Sequence, residues 1–274
     1  MRTRIWHQSF LDLAQLPGYA ALLDQHGRSV CGPETIVDLH GVETGEWPSG
    51  DYPKYSGQGQ HLKVLQIIEN AIRAQREGYD AFALSVFLDP GLHEARMLVG
   101  IPVVSALESA LEVASKMGHC IGLITRSSWM NPQVEALVRR YGYADRVGAL
   151  TALSHPVGLD ELEKVSASPQ AFISRFVEQA SALVRNGVDV IVPAEGLLNT
   201  VLIRNGVREI EGIPVIDSYG VLLAAAEALV RIRRAGASPA GKGEAPPQHV
   251  FEALRRATAD VFTAGDTSVP TGTN

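Results

Sequence analysis

Short apolar runs recur along the chain, and most are followed by a stretch with helical spacing. Thr3 to Trp6 reads as a first strand with His7-Gln8-Ser9 at its carboxyl end. Tyr19 to His26 predicts a helix with Gly27 as its stop. Thr35 to Leu39 is a second strand, ending at His40-Gly41. Glu43 to Gly59 is rich in Gly, Pro and Tyr and has no periodicity, so it reads as a long loop. Leu62 to Glu77 carries apolar residues at Val64, Leu65, Ile67, Ile68, Ala71 and Ile72, a helical spacing. Phe82 to Phe87 predicts a strand, after which Asp89 and Pro90 read as the N-cap and first position of a helix. Val103-Val104 is the next strand, and Ala106 to Met117 a helix ended by Gly118. Ile121 to Ile124 is a strand running into Thr125-Arg126-Ser127, and Asn131-Pro132 opens a helix towards Tyr141. Gly148 to Ser154 reads as a strand and Pro169 to Asn186 as a long helix.

That helix leads into Val188 to Val192, a buried strand that Pro193 stops and Glu195 follows. The same pattern occurs twice. Gly78-Tyr79-Asp80-Ala81-Phe82 matches Gly187-Val188-Asp189-Val190-Ile191, and Gly100-Ile101-Pro102-Val103-Val104 matches Gly212-Ile213-Pro214-Val215-Ile216. An Ala/Leu-rich helix follows each copy, Ala106 to Ser115 and Gly220 to Arg231. Strand–helix alternation calls for parallel sheets wrapped by helices. The expected fold class is therefore α/β, with two pseudo-symmetric lobes, each a parallel-sheet α/β sandwich. Residues 1–105 form the first lobe and 106–217 the second, with the helix at 220–234 crossing back onto the first. The strand ends Ser85-Val86 and Ala194-Glu195 then face each other across the cleft between the lobes, where ligands bind in such sheets. From Ala235 to Asn274 the chain reads as a linker, a short helix from Val250 to Phe262, and a polar, flexible tail.

Composition narrows the function. A hydrophobic fraction of 46% is ample for a packed core, and a net charge of −6 with both signs interspersed attracts neither nucleic acid nor an anionic membrane surface. No stretch approaches the roughly 18 apolar residues of a membrane span, and Met1 to Leu13 has no apolar signal region. A cytoplasmic protein acting on a small molecule is expected. Cys31 and Cys120 then read as free thiols.

There is no Walker loop, dinucleotide fingerprint, His-Glu-x-x-His motif or Gly-x-Ser-x-Gly elbow. The chemistry must be assembled at strand ends. Glu195 is the candidate catalytic group. The candidate substrate contacts are His7, Gln8, Ser9, Ser85, Val86, Phe87, Thr125, Arg126, Ser127, Asn199 and Asp217. No cofactor is expected. A metal site from His7, His40, His155 and Glu195 fits on residue types but has no support in their spacing. Asp80 and Asp189 begin equivalent strands, away from the carboxyl ends, and read as structural.

The run Tyr79 to Leu92, with Ser85-Val86-Phe87-Leu88-Asp89-Pro90-Gly91 at its centre, resembles the aspartate/glutamate/hydantoin racemase superfamily. So do Gly100 to Val104, Arg126 with Val138-Arg139-Arg140-Tyr141-Gly142, Gly187 to Val192 and Gly212 to Asp217. The likeness spans roughly residues 62–232 and is nearest the hydantoin racemase branch. It implies two pseudo-symmetric α/β lobes with the active site between them, and commonly an oligomer. It also implies two catalytic cysteines, one per lobe. Those positions hold Val86 and Glu195 here, and Trp6-His7-Gln8-Ser9 stands where the family has an Asn-Pro-Asn-Thr-like segment.

Racemisation by two bases needs a proton acceptor on each face of the substrate carbon. Val86 supplies none. The expected chemistry is therefore one-sided, with Glu195 as general acid or base and burial raising its proton affinity. Hydrolysis or proton transfer on a hydantoin- or thiohydantoin-like ring, or on a small carboxylate, fits it. A racemase, isomerase or decarboxylase of the same family is an alternative. A ligand-binding protein without catalysis on the racemase fold is another.

Overall fold

The computed structural model describes residues 2–43, 58–157 and 161–237, with isolated positions at 247, 249–250, 252–253 and 256. Most of the loop expected at Glu43 to Gly59, and of everything expected beyond Ala237, lies outside the described residues.

The first sheet contains β1 (Thr3–Gln8), β2 (Thr35–His40), β3 (Ala81–Leu84) and β4 (Val103–Ser105), all parallel in the order β2-β1-β3-β4. The helices of this half are α1 (Pro17–Val30), α2 (Gln58–Arg76) and α3 (Leu92–Leu98). Then α4 (Ala106–Met117) crosses to a second parallel sheet of β5 (Ile121–Thr125), β6 (Val147–Ala152) and β7 (Val190–Pro193), in the order β6-β5-β7. Its helices are α5 (Asn131–Arg140), α6 (Leu162–Ala167), α7 (Gln170–Arg185) and α8 (Gly196–Arg204). A small antiparallel pair, β8 (Glu209–Ile210) and β9 (Ile213–Pro214), follows. Val215 then forms a parallel bridge with Ile191. That bridge occupies in the second sheet the place of β4 in the first, so the two orders correspond strand for strand. Finally α9 (Ser218–Arg234) packs back on β1, β3 and β4.

The two aspartates that open the repeated units perform one job twice. Asp80 accepts the backbone N–H of Arg4 at 2.9 Å, pinning the start of β1. Asp189 accepts the N–H groups of His119 at 2.9 Å and Cys120 at 2.8 Å, pinning the start of β5. Those bonds hold the Asp189 carboxyl below its usual range, against a desolvation that pushes it up. Both β3 and β7 are buried along their whole length, as expected of strands covered on both faces. Among the described residues no helix is long and apolar enough to cross a membrane.

Three local expectations are corrected. The first helix does not stop at Gly27 but runs to Val30. Gly27 therefore lies inside the helix, and a Cβ there would make ordinary contact with the Tyr219 hydroxyl at 3.5 Å. The strand expected over Phe82 to Phe87 leaves the sheet after Leu84. Asp89 does not cap a helix: α3 begins at Leu92, after Gly91 at φ 70°. Asp89 itself sits at φ 45°, a left-handed conformation Asp tolerates better than most residues, and its carboxylate turns inward.

Candidate active site

The carboxyl ends of β1, β3, β5 and β7 converge on a partly open cleft. Six of the residues expected at the site line it: Ser9, Ser85, Val86, Phe87, Arg126 and Glu195. One wall is the turn after β3. The facing wall is the junction of β7 with α8, and Arg126 enters from the end of β5.

Glu195 stands in extended backbone at φ −165° as the N-cap of α8. Its Oε2 accepts the N–H of Leu198 at 2.9 Å. One of the helix's unpaired donors is thereby satisfied, and the carboxylate lies at the positive end of the helix dipole. No hydrogen bond forms to Oε1 among the described residues, and the side chain is only half-buried. Gly196 follows, and a Cβ there would come within 3.2 Å of the Tyr19 hydroxyl and 3.6 Å of Ser85 Oγ. The missing side chain lets the two walls approach. Tyr19 is buried at the cleft, and its phenol is pushed far above the usual range by burial, then by the Glu195 charge and Tyr219. It therefore stays a neutral hydroxyl.

Arg126 is only 8% exposed, an uncommon state for a guanidinium. One Nη donates to the Val157 carbonyl at 2.8 Å, while its Nε is buried with no partner among the described residues. A buried cationic donor without a carboxylate partner is costly unless a ligand completes it.

The other expected contacts lie behind the cleft. Gln8 is fully buried and spends its amide on Trp6, Asn70 and the Ser9 carbonyl. Thr125 bonds Asn131 at 2.5 Å and the carbonyls of Ser127 and Thr151. Asn199 donates to the Ile216 carbonyl at 2.7 Å and accepts from the Tyr219 N–H, which fixes the start of α9. Asp217 caps α9 through Gly220 and pairs with buried His26 at 2.8 Å. Ser127 is half-buried beside the cleft without lining it. Each residue supports a strand end or helix start and does not face the empty space.

His7 is fully buried against Tyr219, with ring centroids 5.5 Å apart and neither nitrogen partnered among the described residues. Burial, then the neighbouring His40, pushes it down to about 3, so it is a neutral core histidine. His40 stacks on Trp6 and His155 is exposed. The four residues of the conceivable metal set do not gather. No cluster of three or more His, Cys, Asp or Glu able to hold a metal occurs among the described residues. Cys31 caps the carboxyl end of α1, where burial and then Glu227 push its thiol up to about 12, and Cys120 precedes β5. Neither lines the cleft.

Sequence reasoning missed the apolar lining. Phe10, Leu11, Leu88, Trp129 and Met130 all face the cleft. Trp129 and Met130 lie four and five residues past the end of β5, beyond the stretch the strand-end argument covered. Tyr19 lies inside an amphipathic helix, where nothing marks it.

The model of the Asp/Glu/hydantoin racemase family matches residues 28–226. The hydantoin racemase of Pseudomonas sp. (strain NS671) is 28% identical over 173 residues, 62% of this chain and 66% of that enzyme. The hydantoin racemase of Rhizobium meliloti is 27% identical over 174 residues, 64% of this chain and 70% of that one. The chain thus spans just under two thirds of the first relative's length. Among solved structures, the allantoin racemase of Pseudomonas fluorescens superposes with a TM-score of 0.74 at 22% identity, covering 89% of this chain and 98% of that one. The allantoin racemase of Klebsiella pneumoniae gives a TM-score of 0.69 at 23% identity, covering 84% and 89%. At such identities these two structures speak to the fold alone. The family model covers well over half of the chain, which therefore belongs to the Asp/Glu/hydantoin racemase family.

Proposed function

We propose that the cleft is the active site of a small-molecule enzyme in which Glu195 acts as general acid or base. The substrate is a hydantoin- or thiohydantoin-like ring or a small carboxylate. The ring class comes from the named activity of the curated relatives. One observation carries the reading: a carboxylate with an uncommitted oxygen and a buried guanidinium with an unpaired Nε line the same cleft. Arg126 holds a substrate oxygen that is negative or becomes so. Glu195 moves a proton at a neighbouring carbon or activates water at a ring carbonyl. Donors placed where negative charge develops, together with a positioned base, are what either reaction needs.

The opposite wall favours one-sided chemistry. Val86 has no ionisable atom, and Ser85 is a weak base without a helper. Hydrolysis or one-sided proton transfer therefore fits better than symmetric exchange between two bases. The test is a panel of hydantoins, thiohydantoins and small dicarboxylates, followed by mass spectrometry and chiral separation. Glu195→Gln keeps an acceptor for the Leu198 N–H and should retain binding while losing turnover. Near-normal turnover in that variant would sink the proposal.

A second reading has its own support. The cap on α8 accounts for a carboxylate at this position without any chemistry. A binding protein of the same fold would show thermal stabilisation by a ligand of the panel and form no product from any of them.

A further inference from the structure

Asp89 is only 8% exposed, and it is not among the cleft residues. It follows Val86, Phe87 and Leu88 directly, and these three line the cleft opposite Glu195 and Gly196. Its own N–H donates to the Val86 carbonyl at 3.3 Å, and its carbonyl accepts from Leu92 at 3.3 Å. The turn is thus closed on itself around a residue at φ 45°. Its two carboxylate oxygens reach in different directions. Oδ1 accepts from the Ser105 hydroxyl at 2.5 Å, and that hydroxyl is itself the N-cap of α4, accepting the Glu108 N–H. Oδ2 accepts from the Tyr141 hydroxyl at 2.6 Å, at the carboxyl end of α5 in the second lobe. Hydroxyl-to-carboxylate bonds of this length are charge-assisted and strong.

We infer that Asp89 is the positioning residue of the cleft: from a left-handed turn, its carboxylate ties the Val86–Leu88 wall to the start of α4 and to the second lobe through Tyr141. Val86, Phe87 and Leu88 are themselves apolar and offer no polar side chain to anchor this stretch of the wall. The inference rests on the reading that this cleft is the working site.

The latch carries a pH signature. The charged groups facing Asp89 are Arg96 on α3 and Glu108 on α4, which pair with each other at 2.5 Å and leave little net charge to favour an ionised neighbour. Tyr141 faces it from the end of α5. Burial therefore dominates and pushes the carboxyl up to about 6, with the Ser105 and Tyr141 bonds opposing. A carboxyl that is harder to ionise when latched than when released favours the latched state at low pH. Release becomes easier as pH rises from the released carboxyl's range through 6.

Hydrogen exchange of the full-length protein between pH 4 and 7, normalised to intrinsic rates, reads this at the amides of residues 86–89, 91 and 92. In wild type, protection should fall by on the order of 100-fold over that range. In Asp89→Asn the fall should vanish. In Tyr141→Phe protection should be lower throughout and the fall displaced upward, because a bond that favours the ionised form is gone. The Glu195→Gln variant should keep the wild-type profile, so this test and the turnover test fail separately. A fall that persists in Asp89→Asn overturns the inference. If that variant does not fold, unchanged protection in Tyr141→Phe overturns it.

Discussion

The two walls of the cleft follow the same sequence pattern and strand order and are finished in opposite ways. Both begin with a strand whose leading aspartate, Asp80 or Asp189, pins its neighbour through backbone N–H groups. Both strands end at the cleft. After β3 the chain makes a tight apolar turn, with its one carboxylate, Asp89, pulled away from the cleft and buried. After β7 it enters α8 at once, and its carboxylate, Glu195, stays at the cleft as the helix cap. One wall buries its acid behind the cleft and the other leaves its acid lining it. The repeat preserves the scaffold of strand starts, and the divergence is concentrated at strand ends, where chemistry is done in this class of fold.

Four substitutions break or sharpen that contrast. The largest effect is expected on the Glu195 wall. Glu195→Gln should lower turnover of any accepted substrate by about 100- to 10,000-fold, the range of a lost general acid or base. Steady-state kinetics beside binding titrations measures it, with affinity largely kept.

Next comes the other wall. The Asp89 carboxyl sits at about 6 in the fold and ordinarily near 3.8. Stability contributed by its protonated form is complete below about pH 4 and is lost as pH rises through 6, a change of roughly 3 kcal/mol. His7, pushed down to about 3, works in the reverse sense: its contribution is present above about 6.5 and is lost as pH falls. Asp89 is therefore isolated by subtraction. Denaturant unfolding of wild type and Asp89→Asn at several pH values should show wild type losing ground to the variant between pH 4 and 7. Parallel curves would contradict this account of the buried acid.

Arg126→Met should weaken binding of an anionic ligand by about 10- to 100-fold, the worth of hydrogen bonds to a charged group. Calorimetry with a carboxylate and with an uncharged analogue distinguishes the cases, and only the first should be weakened. The smallest effect separates the two jobs of Glu195. Glu195→Ala should cost about 1 kcal/mol of stability through the lost cap, and Glu195→Gln much less, because its amide oxygen still accepts the Leu198 N–H. Equal stability losses would mean that the cap does not depend on that oxygen.

The scaffold was legible because burial imposes pattern. The helix at Ala106 to Met117 read correctly from apolar spacing, while the strands expected over Phe82 to Phe87 and Val188 to Val192 exist with shifted ends, at Ala81–Leu84 and Val190–Pro193, the latter including the proline expected to stop it. The last helix packs on β1, β3 and β4. Half of the expected site residues reached the cleft, because strand ends are positions that sequence can locate. Gln8, Thr125, Asn199 and Asp217 lie at strand or helix ends too, but their side chains turn inward to satisfy backbone groups. A polar side chain that lines a cleft and one that caps a neighbour look alike in sequence. Asp89 shows the limit most plainly. Asp-Pro before a helical run is a sound capping signal, yet Gly91 takes the turn and frees the carboxylate for Ser105 and Tyr141. Tyr19 was invisible for the opposite reason, as a buried aromatic in an amphipathic helix.

The unequal walls lead to a single stereochemical consequence. On the proposed mechanism, with an acid or base on one wall and valine on the other, one hand of a chiral substrate should react at Glu195. The direct measurement uses the two enantiomers of a 5-monosubstituted hydantoin, incubated separately in deuterium oxide and followed by mass spectrometry and chiral separation. Turnover or α-carbon exchange should occur with one enantiomer and be negligible with the other. Exchange of both enantiomers at comparable rates, with interconversion, would require a proton carrier on the Val86 side and would contradict one-sided chemistry.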